Sequence, residues 1–261
     1  MELGIQGKTA LVLSAGGGLG SAVALALARE GVAVCMADIH RESLATAAAR
    51  VRGAGGTAHE FAWDLASAAQ TQQALQQVLT TVGGVDILFN NTGGPPPGPA
   101  FGHAHSTWSA AFEAMVLSVV GITDALLPGM RARHWGRVIT STSSGVVAPI
   151  ANLALSNATR TALLGWSKSL AMDVAADGVT VNVMVPGRIA TARTRFLDTA
   201  RAEREQRDVD SVAAQSAAAI PARRYGRPEE YADVAAFLAS ERASYITGAT
   251  VRVDGGLIAS L

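Results

Sequence analysis

The sequence predicts an α/β fold: a doubly wound parallel sheet of about seven strands with helices on both faces. Three observations predict it. Short β-branched runs alternate with longer Ala/Leu-rich segments along all 261 residues. The first run empties into a glycine-rich turn. The composition, 49% hydrophobic against 16% charged, supplies enough apolar material to bury a sheet on both faces. Such folds commonly run past 200 residues undivided, so residues 1–261 are expected to form a single domain.

Thr9–Leu13 reads as the first strand and Ser21–Arg29 as the helix that follows. Val32–Ala37 and Thr57–Ala62 are strand-like, separated by a helix over Arg41–Arg52, with a further helix over Ser67–Val82. Val85–Phe89 is a strand, Thr107–Ala132 a long helix, Arg137–Thr140 a strand and Asn152–Ala176 a second long helix. Val179–Val185, Pro228–Ala239 and Thr250–Val253 complete the alternation as strand, helix and strand. Two segments break the rhythm. Gly93–Ser106 contains Gly-Gly-Pro-Pro-Pro-Gly-Pro, whose prolines forbid a central strand, so it is a loop. Arg188–Arg227 is polar, Arg-rich and helical in places; it is expected to act as a substrate lid, with a plain surface insertion as the alternative.

Twenty-one basic residues balance 21 acidic ones, and no basic stripe argues for nucleic acid. No segment carries about 18 uninterrupted apolar residues, and the N-terminus reads as a strand rather than a signal peptide. The expectation is a soluble, cytoplasmic protein that does not engage a membrane. Cys35, the only cysteine, lies in the apolar run Val32–Met36 and reads as a buried structural thiol. A single cysteine excludes an internal disulfide, and the histidines and carboxylates form no convincing metal cluster.

In an open parallel sheet, ligands bind beyond the carboxyl ends of the strands. Ser14–Gly20, Asp38, Asp64, Asn91–Gly94, Ser141–Ser144 and Pro186–Thr191 all fall on that edge. Ser14, Gly16, Gly18, Leu19 and Gly20 lie in the turn after the first strand, where glycines let the backbone approach a pyrophosphate and a helix N-terminus favours its charge. A tight turn without a ligand is the alternative. Asp38 follows Gly20 by 18 residues. A carboxylate there accepts hydrogen bonds from adenosine ribose hydroxyls and repels a 2′-phosphate, favouring NAD over NADP. Nearby Arg41 softens that preference, and a helix N-cap is the competing role for Asp38.

Those features, with Asp64-Leu65, Asn90-Asn91-Thr92-Gly93, Gly136-Arg137-Val138-Ile139, Asn182 with Pro186-Gly187, and Asp254-Gly255-Gly256, resemble the successive landmarks of the short-chain dehydrogenase/reductase family. The resemblance runs from about residue 5 to residue 257 and implies a Rossmann-like domain that carries hydride between nicotinamide and a carbonyl or alcohol. It implies that Asp64 and Leu65 border the adenine, that Asn91, Thr92 and Gly93 border the adenosine ribose, and that Pro186, Gly187, Ile189 and Thr191 border the nicotinamide. It also implies a homo-oligomer, a tetramer or dimer built through the two long helices.

The chain departs from the family where the chemistry should be. The family's serine falls on Ser143, its tyrosine on Ser156, its lysine on Arg160 and its asparagine on Met115. Tyr225, Tyr231 and Tyr245 all lie downstream, and neither Lys8 nor Lys168 has a tyrosine four residues before it, so no shift of register restores the pair. A serine hydroxyl is shorter and far less acidic than a phenol; Arg160 keeps a cation that can bond ribose hydroxyls but cannot relay a proton as lysine does. The chain holds 19 arginines and two lysines, a bias that accounts for Arg160 but not for Ser156 or Met115. In the glycine-rich turn Ser14 replaces a glycine and is expected to need an ordinary φ, altering the phosphate grip, with the glycines at 16–18 compensating.

Other side chains have two readings. Ser143 can bond a substrate oxygen or serve a turn. His103 and His105 are substitute acids or solvated loop residues. Arg188, Arg193 and Arg195, with Arg160, recognise a carboxylate or phosphate or face solvent from the lid. The leading expectation is an NAD-preferring oxidoreductase with a nonstandard proton donor acting on a small molecule, anionic if these arginines serve it. The alternatives are a lyase, isomerase or hydratase on the same scaffold, and an inactive nucleotide-binding partner subunit.

Overall fold

The computed structural model describes residues 2–260. Seven strands, β1 (Thr9–Leu13), β2 (Ala33–Asp38), β3 (Ala58–Ala62), β4 (Ile87–Asn90), β5 (Gly136–Ser141), β6 (Val179–Pro186) and β7 (Thr250–Val253), make one sheet. All are parallel, in the order β3-β2-β1-β4-β5-β6-β7. The fold is the expected Rossmann-like one, and the strand order reverses between β1 and β4.

Helices α1 (Gly18–Arg29), α2 (Arg41–Gly53) and α9 (Pro228–Leu238) cover one face of the sheet. Helices α3 (Ala68–Val82), α5 (Ser118–Ala132) and α6 (Ala154–Val174) cover the other. Side chains alternate along each strand, so β1 sends Ala10 and Val12 to the first core and Leu11 and Leu13 to the second. Each fully buried Val, Leu or Ile contributes about 1.5–3 kcal/mol. Cys35 is wholly buried in the second core, and burial pushes its thiol up to about 12, so it is inert.

Several boundaries differ from the sequence expectation. The first helix starts at Gly18, three residues before Ser21, because the glycine-rich turn runs straight into it. The helix expected over Thr107–Ala132 starts at His105 and changes its winding along its length. Helix α4 (His105–Phe112) passes through a wide π-type turn at Glu113–Leu117 before α5. That stretch is apolar enough by length and composition to cross a bilayer, with mean hydropathy 1.8, yet Ile122, Leu126 and Met130 are packed against the sheet. Ser14 does not take an ordinary φ; it sits at φ 50, in the region that favours glycine, with its Oγ donating to the Asn91 carbonyl at 3.0 Å. A Cβ at Gly20 would land on the Ser14 carbonyl, so the sharp turn needs glycine there.

The segment between β6 and β7 folds as α7 (Ala192–Glu205) and α8 (Val209–Ala218). Its base is closed by main-chain bonds from Gly226 N to the Arg188 carbonyl (2.9 Å) and from Ala190 N to the Gly226 carbonyl (2.8 Å). Buried Asp198 accepts from Arg188 Nη1 at 2.5 Å and from the Tyr225 hydroxyl at 2.8 Å, fastening α7 to the chain that leads into α9.

Gly178 precedes β6 at φ 75, and a Cβ there would fall on the His134 carbonyl. Gly178→Ala is expected to destabilise the protein by about 2 kcal/mol or more. At exposed Gly53, with nothing within 4 Å, alanine should change stability by about 0.5 kcal/mol or less. Urea denaturation of the two variants measures both, and equal losses would contradict this account of Gly178.

Candidate active site

A cavity of about 660 Å³ opens at the carboxyl edge of the sheet, between the reversal point and α7. The turn after β1 supplies Ser14, Gly18 and Leu19. The β4 end supplies Asn91, Thr92 and Gly93, the β5 end Ser143, and α6 both Ser156 and Arg160. Pro186, Gly187, Ile189 and Thr191 descend from β6. Most of the residues singled out in the sequence therefore share one wall-to-wall space.

The exceptions have identifiable reasons. Gly20 lies beneath the turn, packed on Ser14. Gly16 faces a second hollow, of about 610 Å³, lined also by His40, Ser43 and Arg50. Asp38 lines neither hollow but sits beside Gly16, and its carboxylate accepts from Gly16 N and His40 N, both at 2.9 Å. The N-cap of α2 is His40, so Asp38 does not fill that role. Asp64 and Leu65 lie on the same sheet edge but outside the cavity: Asp64 accepts from Ala66 N at 2.9 Å, and Leu65 packs on the core. His103 bonds the Pro99 carbonyl at 2.8 Å, His105 bonds Ser109 at 3.3 Å, and neither reaches the cavity. Arg195 projects to solvent, whereas Arg188 and Arg193 line the cavity, Arg188 held there by Asp198.

Ser156 and Arg160 are one helical turn apart and point the same way from α6. Both are buried, and Ser156 Oγ has no hydrogen-bond partner among the described residues. The Arg160 guanidinium donates to the carbonyls of Ser141 (3.3 Å), Thr92 (3.1 Å) and Gly93 (3.0 Å), joining the ends of β4 and β5. Burial, then repulsion from Arg193, brings its pKa down to about 10, so it remains charged at neutral pH. Ser143 Oγ accepts from Gly145 N at 3.1 Å, leaving its proton free for another acceptor. Met115 is buried in the π-type turn, where its sulfur accepts from Thr159 Oγ1 at 3.5 Å.

Two features escaped the sequence reading, those of Tyr231 and Asn157. The Tyr231 hydroxyl donates to Ser141 Oγ at 2.8 Å beneath Arg160. Burial pushes that phenol well above its ordinary range, so it is neutral at neutral pH. Tyr231 falls on the apolar stripe of α9 with Ala235 and Leu238, so it reads as plain core from sequence. Asn157 clamps the loop after β5 through both its side-chain atoms on Ile150. Arg193 reaches across from α7 to the Pro95 carbonyl at 2.9 Å, over Gly94, where a Cβ would meet its Nη2 at 2.9 Å.

The edge fits a dinucleotide. Helix α1 has no side-chain N-cap and no acidic residue in its first turn, so its first N–H groups and its positive end are open to phosphate. Gly18 lets Thr191 close over it, where a Cβ would meet the threonine methyl at 2.7 Å.

Comparison with known proteins agrees. The sequence family described as enoyl-(acyl carrier protein) reductase matches residues 14–258. The 3-oxoacyl-[acyl-carrier-protein] reductase FabG of Escherichia coli is 35% identical over 98% of this chain and 99% of its own. Dehydrogenase/reductase SDR family member 4 of Bos taurus is 32% identical over 98% of this chain and 89% of its own. Among solved structures, L-sorbose reductase from Gluconobacter frateurii, complexed with NADPH and L-sorbose, superposes with a TM-score of 0.94 at 32% identity, each chain covered in full.

Proposed function

The chain belongs to the short-chain dehydrogenase/reductase family, and from that premise we propose that it is an NAD-preferring oxidoreductase that interconverts a small carbonyl compound and its alcohol without the family's tyrosine as proton donor. Similar solved structures hold a nicotinamide cofactor, NADPH in L-sorbose reductase and NAD+ in xylitol dehydrogenase. The observation that carries the finer reading is the convergence of Ser143, Ser156 and charged Arg160 in one cavity beside an uncapped, glycine-lined helix start.

A bound nicotinamide would supply the hydride. Ser143 donates a hydrogen bond to the substrate oxygen, one of its lone pairs being taken up by Gly145 N, and the proton that completes the alcohol comes from water. Arg160, fixed to three carbonyls, lends positive charge to developing negative charge. Ser156 presents a hydroxyl free to hold a water or the substrate. Positioned acid–base catalysis is worth about 10²–10⁴-fold, and a serine in place of a phenol forfeits part of it. Asp38 supports the NAD preference: each of its oxygens accepts one N–H and keeps capacity for a ribose hydroxyl, and its charge opposes a 2′-phosphate. That preference sets this chain apart from the NADPH-bound sorbose reductase.

The segment at 188–227 is read as a lid on the single domain, since α7 walls the cavity. A homo-oligomer is also proposed. Leu117, 45% exposed, Phe112 and Met172 leave apolar surface on the outer sides of α4–α5 and α6.

Energy transfer from tryptophan to bound nicotinamide should report NADH binding at least about tenfold tighter than NADPH, since Asp38 is worth on the order of 1.4 kcal/mol against a 2′-phosphate; equal affinities would remove the Asp38 argument. The double variant Ser156→Tyr/Arg160→Lys should raise NADH-dependent carbonyl reduction by about tenfold or more, and an unchanged rate would show that another group already moves the proton. Light scattering should give a multiple of the chain mass, reduced by Leu117→Glu; a monomer would dismiss the oligomer.

A further inference from the structure

The cavity wall carries positive charge that no acidic side chain answers. Arg160, only 8% exposed, meets nothing but main-chain carbonyls. Arg193, half-buried, donates to the Pro95 carbonyl through Nη2 and lies over the Phe196 ring, 5.3 Å from its centroid. The two guanidinium groups repel each other across the space between α6 and α7. The nearby carboxylates are already committed. Asp198 is shared by Arg188 and Tyr225, and Glu205 by Arg201, Arg204 and Arg207. Among the described residues neither Arg160 nor Arg193 has an ionic partner, although a buried cation is costly unless paired. The same wall holds Thr92, whose Oγ1 is buried and without a hydrogen-bond partner, and the open hydroxyl of Ser156.

We propose that the substrate of this site carries a carboxylate, received between Arg160 and Arg193. The inference rests on the oxidoreductase reading only for what happens to the rest of the substrate. Both arginines keep unused N–H donors: Arg160 bonds through Nη1 and Nη2 only, and Arg193 through one nitrogen. A planar carboxylate matches a guanidinium fork in shape and charge. Arg193 can reach it by exchanging the Pro95 carbonyl for the ligand, because glycine at 94 leaves its guanidinium room. The cofactor's phosphates are a rival source of negative charge. They have their own seat at the α1 N-terminus, so the test is made with that seat filled.

The probes are 2-oxobutanoate and 4-oxopentanoate, each beside its methyl ester, added to protein with and without saturating NADH. Thermal shift reads binding, and NADH absorbance reads turnover. The acids should raise the melting temperature of the NADH-loaded protein, with an apparent affinity about tenfold above that of the esters, as charge-assisted hydrogen bonds require. Arg193→Met should erase the difference between acid and ester, and Arg193→Lys should retain part of it. Equal or better binding of the esters, or no shift with either, overturns the proposal, whatever the absorbance does. So does an Arg193→Met variant that weakens NADH binding while leaving the acid–ester contrast intact, because Arg193 then serves the cofactor. Acids that bind without NADH oxidation keep the proposal and remove the oxidoreductase reading instead.

Discussion

The parallel direction of every strand is the constraint from which the rest of this molecule follows. Seven strands that point one way deliver six connections and the segment after β7 to one edge. Each return journey must cross a face of the sheet, so both faces are roofed by helices and both sides of the strands are apolar. The reversal of order between β1 and β4 then sends the neighbouring crossovers to opposite sides and leaves a crevice between their loops. Ser14 Oγ on the Asn91 carbonyl spans that crevice at its root.

Within the crevice, polar groups are held by the scaffold rather than by one another. The Arg160 guanidinium links the ends of β4 and β5, the Tyr231 phenol supports Ser141 from below, and Asn157 fixes the loop that presents Ser143. The roof is tied by a different set, Arg188, Asp198 and Tyr225. Floor and roof meet at Arg193 on the Pro95 carbonyl and at the methyl of Thr191 over Gly18.

Much of this was legible in the sequence because the signals are local. β-Branched runs gave the strands to within two residues, and the glycines of the first turn gave the edge on which the cavity opens. The four-residue interval between Ser156 and Arg160 gave their shared direction. What was hidden depends on distant partners. Nothing near Arg188 marks it as belonging to Asp198, and nothing near Tyr231 marks its hydroxyl as belonging to Ser141, 90 positions away. Ser14 misled for the opposite reason. Local preference argues against a left-handed serine, but the turn geometry imposed by Gly20 and the bond to Asn91 override it.

The π-type turn at Glu113–Leu117 acts as a change of phase. One surplus residue in a helix turns everything beyond it by about 100° relative to an unbroken one. Before the turn, α4 buries none of its residues; after it, α5 buries Val119, Ile122, Leu126 and Met130. The two halves thus answer to different neighbours while remaining one rod. Met115 sits at the joint, against Thr159 of α6. The sulfur contact therefore fixes the point at which the solvent-facing half gives way to the sheet-facing half, and it sets the position of that joint against α6.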